Sequence, residues 1–221
     1  MKNDVNQKLA VVSFSGGLDS SVCAKMMKNN GYEVVGVSFN YGQRNIAELE
    51  SAKKIAYELG IKHIILDATF ISNLSPSYLT NAVDEIIIDG DNSNTFVPGR
   101  NILFGTMLAV VAHTLKAGSV VMGMNADDRT FYPDCRVEFV NSFEKTIQLG
   151  LSNEIMLITP LVDKTKVEIF QLAEELGILE LVVNESNSCY NGVKGVGCGT
   201  CPACKLRRES YLKYLESVRS R

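Results

Sequence analysis

The order of apolar segments along the chain predicts an α/β fold, a doubly wound parallel sheet of five strands with helices on both faces. Aliphatic runs without polar alternation recur along the chain, which is typical of parallel strands buried on both faces. Segments with apolar residues at helical spacing separate these runs. The first third therefore has the order β-α-β-α-β, which implies right-handed crossovers between parallel strands.

Each element has its own sequence signal. The first strand is the run KLAVVSF, and the first two predicted helices end at Gly31 and Gly60. Thr165 and Glu168 form a capping box that opens a later helix. The polar stretch 68–98 is predicted either to be a functional loop or to carry small elements of its own, such as a short strand at 83–88. Strands are predicted at 8–14, 33–39, 62–67, 119–122 and 155–158, and helices at 19–30, 45–59, 101–116, 139–149, 165–177 and 205–218.

The composition indicates one folded domain over residues 1–221. Hydrophobic residues make up 46% of the chain and charged residues 21%, a balance that excludes a wholly disordered protein. The net charge of −3 provides no basic field to attract nucleic acid. The longest apolar stretch, 103–115, is too short and too mixed to cross a membrane. The N-terminus shows no secretion signal, so we expect a cytoplasmic enzyme with no membrane partner.

A glycine-rich segment lies between the first predicted strand and the first predicted helix, and it has the sequence Ser15-Gly16-Gly17-Leu18-Asp19-Ser20-Ser21. The glycines allow a sharp turn that brings backbone N–H groups close to an anion, and the helix directs its positive end to the same place. These features predict a phosphate-binding loop at the carboxyl end of the first strand. A plain turn capped by Asp19 is the alternative. The segment lacks the lysine of the GxxxxGK[ST] loop and does not match the GxGxxG motif.

Four of the six cysteines lie close together in the C-terminal segment 186–221. Their spacing is Cys189-x8-Cys198-x2-Cys201-x2-Cys204, with glycines between them. Four thiolates at this spacing predict a tetrahedral zinc site rather than disulfides. Because four protein sulfurs leave no open coordination position, such a zinc ion would be structural. An iron–sulfur cluster and a redox-active thiol pair remain alternatives.

Two further segments carry candidate binding residues. In FVPGRN, Arg100 can make two hydrogen bonds to a carboxylate or phosphate, and Asn101 can cap the following helix. In YPDCR, Tyr132, Asp134 and Arg136 offer an aromatic face, a carboxylate and a guanidinium, which suit a planar heterocycle bearing a carboxylate. Taken alone, a capped turn and a surface loop are the alternatives.

Five motifs occur in one order along the chain: SGGLDSS, YGQR at 41–44, FVPGRN at 96–101, YPDCR at 132–136 and the four-cysteine segment. SGGLDSS resembles the PP-loop of ATP pyrophosphatases, which adenylate a substrate and release pyrophosphate. Together the five motifs resemble the QueC family, from about residue 8 to residue 210. The resemblance implies a PP-loop (HUP, adenine nucleotide alpha hydrolase-like) fold. It also implies an ATP-dependent ligase that forms 7-cyano-7-deazaguanine from 7-carboxy-7-deazaguanine and ammonia in queuosine biosynthesis.

The resemblance assigns roles to individual residues. It implies that Asp19, Ser20, Arg100 and Lys166 are catalytic, although an exposed first-turn lysine is the alternative for Lys166. The implied ATP-binding residues are Phe14, Ser15, Gly16, Gly17, Leu18, Asp19, Ser20 and Ser21. The implied substrate-binding residues are Arg100, Asn101, Tyr132, Asp134 and Arg136. Mg²⁺ should accompany ATP, Cys189, Cys198, Cys201 and Cys204 should hold a structural Zn²⁺, and the chain should form a homodimer.

The run before Tyr132 departs from the family pattern, in which a Ser-Gly pair precedes the tyrosine. Arg129, Thr130 and Phe131 place a charge and a large side chain beside the expected pocket. This departure motivates a second hypothesis, a QueC-like paralogue that stops at the amide or transfers it to an amine of a protein acceptor. A tRNA-modifying PP-loop enzyme and a non-catalytic zinc-binding module are further alternatives, although a nucleic-acid partner is not expected.

Overall fold

Strands and helices alternate along the chain in a computed structural model, which describes residues 5–74, 77–80, 85–89, 92–129, 132–194 and 196–220. The strands are β1 (Asn6–Ser13), β2 (Glu33–Asn40), β3 (Lys62–Asp67), β4 (Ile88–Asp89), β5 (Asn92–Ser93), β6 (Ala117–Val121) and β7 (Met156–Ile158). The helices are α1 (Leu18–Asn29), α2 (Ala47–Leu59), α3 (Phe70–Leu74), α4 (Arg100–Leu115), α5 (Val137–Leu151), α6 (Lys166–Glu175), α7 (Leu179–Glu185) and α8 (Pro202–Arg219).

Five strands form one sheet in the order β3-β2-β1-β6-β7, and every pairing is parallel. This arrangement confirms the predicted fold class. The chain fills the sheet outward from β1 through β2 to β3, and then crosses to the other side of β1 for β6 and β7. The carboxyl ends of β1 and β6 therefore form a topological switch point, the place where such sheets bind ligands. Strands β4 and β5 form a separate antiparallel pair.

Apolar side chains pack on both faces of the sheet. Along β1, Leu9 and Val11 enter one buried cluster, whereas Ala10 and Val12 enter the other. The first cluster includes residues of α4 and α5, and the second includes residues of α1, α2, α6, α7 and α8. Since successive side chains of a strand point to opposite faces, this division shows that β1 is covered on both sides. The sheet is therefore a fixed platform for the loops at its carboxyl edge.

Helices α3 and α7 and the β4–β5 pair were not predicted from the sequence. Helices this short have little intrinsic stability, so tertiary contacts such as that of the fully buried Val182 in α7 determine them. The predicted strand 83–88 overlaps β4 only at Ile88, and residues 83 and 84 lie outside the described residues. Helix α8 begins at Pro202, three residues before the predicted start, because proline is well suited to a first helical position.

The last helix is anchored to the helical layer beneath it. The Phe170 ring of α6 lies 5.1 Å from that of Tyr211 and 6.1 Å from that of Tyr214 in α8. The Arg207 guanidinium donates to the carbonyl oxygens of Val182 at 2.9 Å and Val183 at 3.1 Å, which satisfies the free end of α7. None of the helices within the described residues has the length and apolar character that crossing a membrane requires.

The turn between β1 and α1 packs directly on α2. Gly16 has φ +75°, a conformation that favours glycine. A Cβ atom at Gly16 would lie 2.4 Å from the backbone nitrogen of Ala52 and 2.8 Å from the carbonyl oxygen of Glu48. The turn therefore depends on the absence of a side chain at this position, for both its conformation and its packing.

We expect Gly16→Ala to destabilise the fold by about 2–5 kcal/mol, because left-handed strain and a backbone clash add together. Gly31→Ala is the matched control, since Gly31 has φ +80° but nothing lies within 4 Å of its Cβ position. The control should lose only about 1–2 kcal/mol from strain. Urea denaturation of both variants measures the difference, and equal losses would contradict the packing argument.

Candidate active site

A cavity of about 540 Å³ lies at the carboxyl edge of the sheet. The predicted residues that line it are Phe14, Ser15, Gly17, Leu18, Asp19, Ser20, Arg100, Asn101, Tyr132 and Lys166. Of the residues predicted to be catalytic or to bind ATP or substrate, Gly16, Ser21, Asp134 and Arg136 lie outside this lining. The lining also includes Glu48, Asp127, Asp128, Tyr41 and Tyr190, to which the sequence analysis gave no role. One cavity thus joins the glycine-rich loop to the segment around Arg100.

The glycine-rich loop is held by its own hydroxyl groups. The Ser20 and Ser21 hydroxyls donate to the Gly17 carbonyl oxygen at 3.3 and 2.7 Å, and the Gly17 N–H donates to Ser15 Oγ at 3.3 Å. Ser15 Oγ and Ser20 Oγ lie 3.2 Å apart. Gly17 is also the N-cap of α1, and no side chain caps that helix end. The N-terminus of α1 and two hydroxyls therefore meet at the cavity, an arrangement suited to an anion.

An ion pair crosses the cavity floor from α1 to α6. Lys166 Nζ donates to Asp19 Oδ2, and the two side chains are 16% and 21% exposed. Burial opposes the charge of Lys166, but the carboxylates of Asp19 and Asp128 outweigh it and raise the pKa of the lysine above its usual range. Asp19 Oδ1 is buried and has no hydrogen-bond partner. A carboxylate oxygen without a partner, next to an anion-binding loop, fits a hard cation such as Mg²⁺.

Two further carboxylates follow the carboxyl end of β6. Asn125 Nδ2 donates to Asp128 Oδ2 at 2.6 Å and to Asp19 Oδ2 at 3.3 Å. Asp127 Oδ2 accepts the backbone N–H of Lys166 at 2.8 Å. Burial raises the pKa of Asp128. These bonds hold the loop after β6 against both members of the ion pair. From the sequence, only the position of this loop after a predicted strand could have indicated its place at the site.

Arg100 lies at the opposite side of the cavity, at the first position of α4. Its guanidinium carbon is 5.9 Å from the centre of the Tyr41 ring. Burial opposes its charge, but Tyr41, Tyr132 and Asp134 raise its pKa further above its usual range. Tyr132 Oη lies 3.0 Å from the Thr95 hydroxyl oxygen. Arg100 is therefore a permanent cation beside two aromatic rings, a suitable partner for an anionic aromatic ligand.

Asp134 and Arg136 have structural contacts instead of positions on the cavity wall. Asp134 Oδ2 accepts the backbone N–H of Asn101 at 3.3 Å, which satisfies a free donor in the first turn of α4. Arg136 Nε donates to the carbonyl oxygen of Arg129 at 3.4 Å. Both contacts fix the loop that carries Tyr132.

The departure from the family pattern lies partly outside the described residues, because Thr130 and Phe131 are not among them. Arg129 Nη2 donates to the carbonyl oxygen of Val162 and to a carboxylate oxygen of Asp163. The charge that the sequence analysis placed near the pocket is thus bound to the loop before α6.

Glu48 is a cavity carboxyl that the sequence analysis missed. It lies in the first turn of α2, five residues after Gln43, whose Nε2 donates to Glu48 Oε1 at 2.9 Å and to the Phe39 carbonyl oxygen at 3.0 Å. Burial raises the pKa of Glu48 to about 7, although the Gln43 hydrogen bond and the Arg100 charge act in the opposite direction. From the sequence, Glu48 could have been identified only by its place in the helix that follows the carboxyl end of β2.

The four predicted cysteines come together near the cavity. All four sulfurs lie within 4.8 Å of one another, and Cys198 Sγ is 3.9 Å from Cys204 Sγ. Four thiolates around Zn²⁺ at about 2.3 Å would have sulfurs about 3.8 Å apart, so the donor set fits this ion. The Thr200 hydroxyl and the Cys201 backbone N–H donate to Cys198 Sγ and lower its pKa to about 5. The cluster can therefore hold a metal ion.

Asn187 joins the cysteine cluster to the glycine-rich loop. Its backbone N–H donates to the Gly16 carbonyl oxygen at 3.2 Å. Its side-chain oxygen accepts the Cys189 N–H at 3.1 Å and Asn45 Nδ2 at 3.4 Å. Asn187 is buried. A single residue thus connects the metal-binding segment, the loop between β1 and α1, and the approach to α2.

Solved structures show the same fold. The NMN synthetase from Francisella tularensis superposes with a TM-score of 0.53 at 16% sequence identity, over 95% of this chain and 87% of that chain. The structure titled "predicted subunit of tRNA methyltransferase" from Methanocaldococcus jannaschii gives a TM-score of 0.51 at 27% identity, over 76% and 75% of the two chains.

Sequence comparisons extend over nearly the whole chain. Proteins called 7-cyano-7-deazaguanine synthase are 43% identical in Clostridium acetobutylicum, over 97% of this chain and 98% of the relative, and 44% identical in Lysinibacillus sphaericus, over 96% and 97%. The relative of that name in Phocaeicola vulgatus is 43% identical over 96% of both chains. The model of the family described as "Queuosine biosynthesis protein QueC" matches residues 9–215, and this chain belongs to that family.

Proposed function

We propose that this protein converts 7-carboxy-7-deazaguanine and ammonia to 7-cyano-7-deazaguanine with ATP, in queuosine biosynthesis. The observation that supports this most is the single cavity that joins an anion-binding loop to a cationic, aromatic pocket. Family membership and the names of the relatives support the same reaction. A carboxylate is a poor electrophile, so the reaction needs a phosphate site and a site for an anionic ring next to each other.

The loop side of the cavity would bind ATP. Backbone N–H groups and hydroxyls of Ser15, Gly17 and Ser20 would bind phosphate oxygens, and the N-terminus of α1 would stabilise their charge. Lys166, which pairs with Asp19 in this structure, would instead donate a hydrogen bond to a phosphate oxygen when ATP binds. Asp19 and its unpartnered oxygen would hold Mg²⁺, which supplies neutralisation of phosphate charge.

The opposite side would bind the deazaguanine. Arg100 would pair with the substrate carboxylate and point it toward the phosphates, while Tyr41 and Tyr132 would contact the ring. The carboxylate oxygen attacks the α-phosphorus, pyrophosphate leaves, and an acyl adenylate forms. The protein contributes chiefly by positioning the two anions and stabilising the charge that develops on the phosphoryl oxygens.

Two displacements at the carbonyl carbon complete the reaction. Ammonia attacks the acyl adenylate, the C–N bond forms and AMP leaves, which gives the amide. A second ATP then activates the amide oxygen. That oxygen leaves with its phosphoryl group while the nitrogen loses its protons, and the nitrile remains.

We further propose that residues 1–221 act as one domain, that the cysteine cluster holds a structural Zn²⁺, and that two copies of the chain form a homodimer in the cytoplasm. The four sulfurs leave no coordination position open for substrate, which supports a structural role for the metal. Ile102 and Val110 are 47% and 51% exposed on α4, and they are candidate contacts for that interface. Size-exclusion chromatography with light scattering tests the dimer.

The direct test of the reaction is mass spectrometry of the protein with Mg-ATP, ammonium and 7-carboxy-7-deazaguanine. We expect the nitrile, AMP and pyrophosphate to accumulate together. Accumulation of the amide without nitrile would instead support a paralogue that stops at the amide or transfers it to a protein amine. Absence of both AMP and base product would overturn the proposed function.

Lys166→Met should lower kcat/KM for ATP by about 100- to 1,000-fold, because a buried cation next to the phosphate site is lost. Lys164→Met provides a matched control two residues away. Lys164 is 43% exposed and pairs with Glu168 at 3.5 Å, so its loss should leave the rate unchanged. Steady-state kinetics at saturating deazaguanine compares the two, and similar rates would argue against a phosphate role for Lys166.

Cys198→Ser should weaken zinc binding by more than about 100-fold, because one of four thiolates is lost. Cys23→Ala removes a buried thiol from α1 instead and should leave the zinc content unchanged. Elemental analysis of the two purified variants measures zinc per chain. Full zinc occupancy in Cys198→Ser would exclude this residue as a ligand.

A further inference from the structure

We propose that Glu48 is the base that takes a proton from ammonium and delivers neutral ammonia to the acyl adenylate. The inference rests on the proposed function, since it identifies the group that prepares the nucleophile of that reaction. Ammonium is the main form of ammonia at neutral pH, and it has no lone pair with which to attack a carbonyl carbon. A cavity that uses ammonium therefore needs an acceptor for its proton.

Glu48 lies between the two halves of the cavity. Its backbone oxygen would be 2.8 Å from a Cβ atom at Gly16, so the first turn of α2 packs against the phosphate-binding loop. Glu48 lines the cavity, and its carboxyl group interacts electrostatically with Arg100 and Tyr41. In the proposed complex the activated carboxyl carbon lies between the phosphates and Arg100. Glu48 thus flanks the place where the C–N bond must form.

The other carboxylates that line the cavity, within the described residues, have partners near α6. Asp19 is paired with Lys166, Asp127 accepts the backbone N–H of Lys166, and Asp128 accepts from Asn125. Glu48 accepts a hydrogen bond from Gln43 Nε2 and interacts with Arg100 rather than with Lys166. Among the lining carboxyl groups of the described residues, Glu48 is therefore the one that lies apart from the ion pair of Lys166 and on the Arg100 side of the cavity.

The groups that face Glu48 suit it to proton transfer. Burial raises the pKa of Glu48, and this effect exceeds the lowering by the Gln43 hydrogen bond and the Arg100 charge together. The result is a pKa of about 7, within the range in which a base can both accept and release a proton at neutral pH. Tyr41 is protonated in this range, because burial raises its pKa to about 12.

The proposed step balances in atoms and charge. Ammonium transfers one proton to the Glu48 carboxylate, and its lone pair then forms the C–N bond. The bond between the carbonyl carbon and the phosphate oxygen breaks, and AMP leaves with that electron pair. The nitrogen releases a second proton to water, and Glu48 returns its proton to water before the next turnover.

Glu48→Gln separates this chemical role from a structural one. Glutamine has nearly the same shape, and its side-chain oxygen can still accept the hydrogen bond from Gln43. Glu50→Gln is the matched control, because Glu50 lies in the same helix, is exposed, and pairs with Lys53 at 2.8 Å. Three reactions are compared: pyrophosphate exchange into ATP with 7-carboxy-7-deazaguanine, amide formation from ammonium, and hydroxamate formation from hydroxylamine, which is uncharged at neutral pH.

We expect Glu48→Gln to keep pyrophosphate exchange and hydroxamate formation but to lose amide formation from ammonium by about 100-fold or more near neutral pH. Below about pH 7 the wild-type rate should fall as Glu48 becomes protonated. The loss in the variant should shrink at alkaline pH, where free ammonia supplies the nucleophile. Glu50→Gln should match the wild type in all three reactions.

If Glu48→Gln formed the amide from ammonium at the wild-type rate, the inference would be overturned. An equal loss of all three reactions would also overturn it, because that result indicates a positioning role. Absence of pyrophosphate exchange in the wild-type protein would overturn the proposed function itself. The pyrophosphate exchange reaction therefore distinguishes a failure of the role inferred for Glu48 from a failure of the proposed function.

Discussion

The close contact between the glycine-rich loop and α2 organises the rest of the site. Gly16 leaves no room for a Cβ atom against Ala52 and Glu48, so the loop, the N-terminus of α1 and the first turn of α2 have one relative position. These elements line the cavity at the switch point of the sheet. The contact also places the backbone of Glu48 against the glycine-rich loop, while the carboxyl group of the same residue interacts with Gln43 and Arg100.

Opposite charges balance one another within the cavity before any ligand binds. Asp19 and Lys166 form a largely buried pair, and Arg100 lies beside aromatic rings and near Asp134. Burying ions is costly, and pairing offsets that cost only where hydrogen bonds are also satisfied. A ligand with several negative charges can take over partners that the protein otherwise supplies to itself. The resting contacts of these residues therefore indicate the charges that the cavity is built to accept.

The sequence was sufficient for the sheet and for the glycine-rich loop and Arg100 at the cavity. Buried aliphatic runs identified the five strands, and the loop between β1 and α1 followed from glycines and serines at a strand end. Glu48 and Asp128 were missed, because a single acidic residue in a helix or loop has no spacing of its own to mark it. The cavity role expected for Asp134 rested on its chemical type, whereas its bond to the Asn101 N–H depends on how α4 meets the following loop. Short helices such as α7 depend on tertiary contacts and could not be identified from local sequence.

The bonds of Asn187 give the cysteine segment a role beyond fastening the C-terminus. A chain that lost its metal would release Cys189, and Asn187 would lose one of the restraints that hold it to the Gly16 carbonyl oxygen. Ile86 and Tyr190 pack against both the cysteine cluster and the apolar cluster that contains Leu9 and Val11 of β1. Loss of the proposed zinc ion would therefore disturb two places at once, the glycine-rich loop through Asn187 and the packing on one face of the sheet through Ile86 and Tyr190.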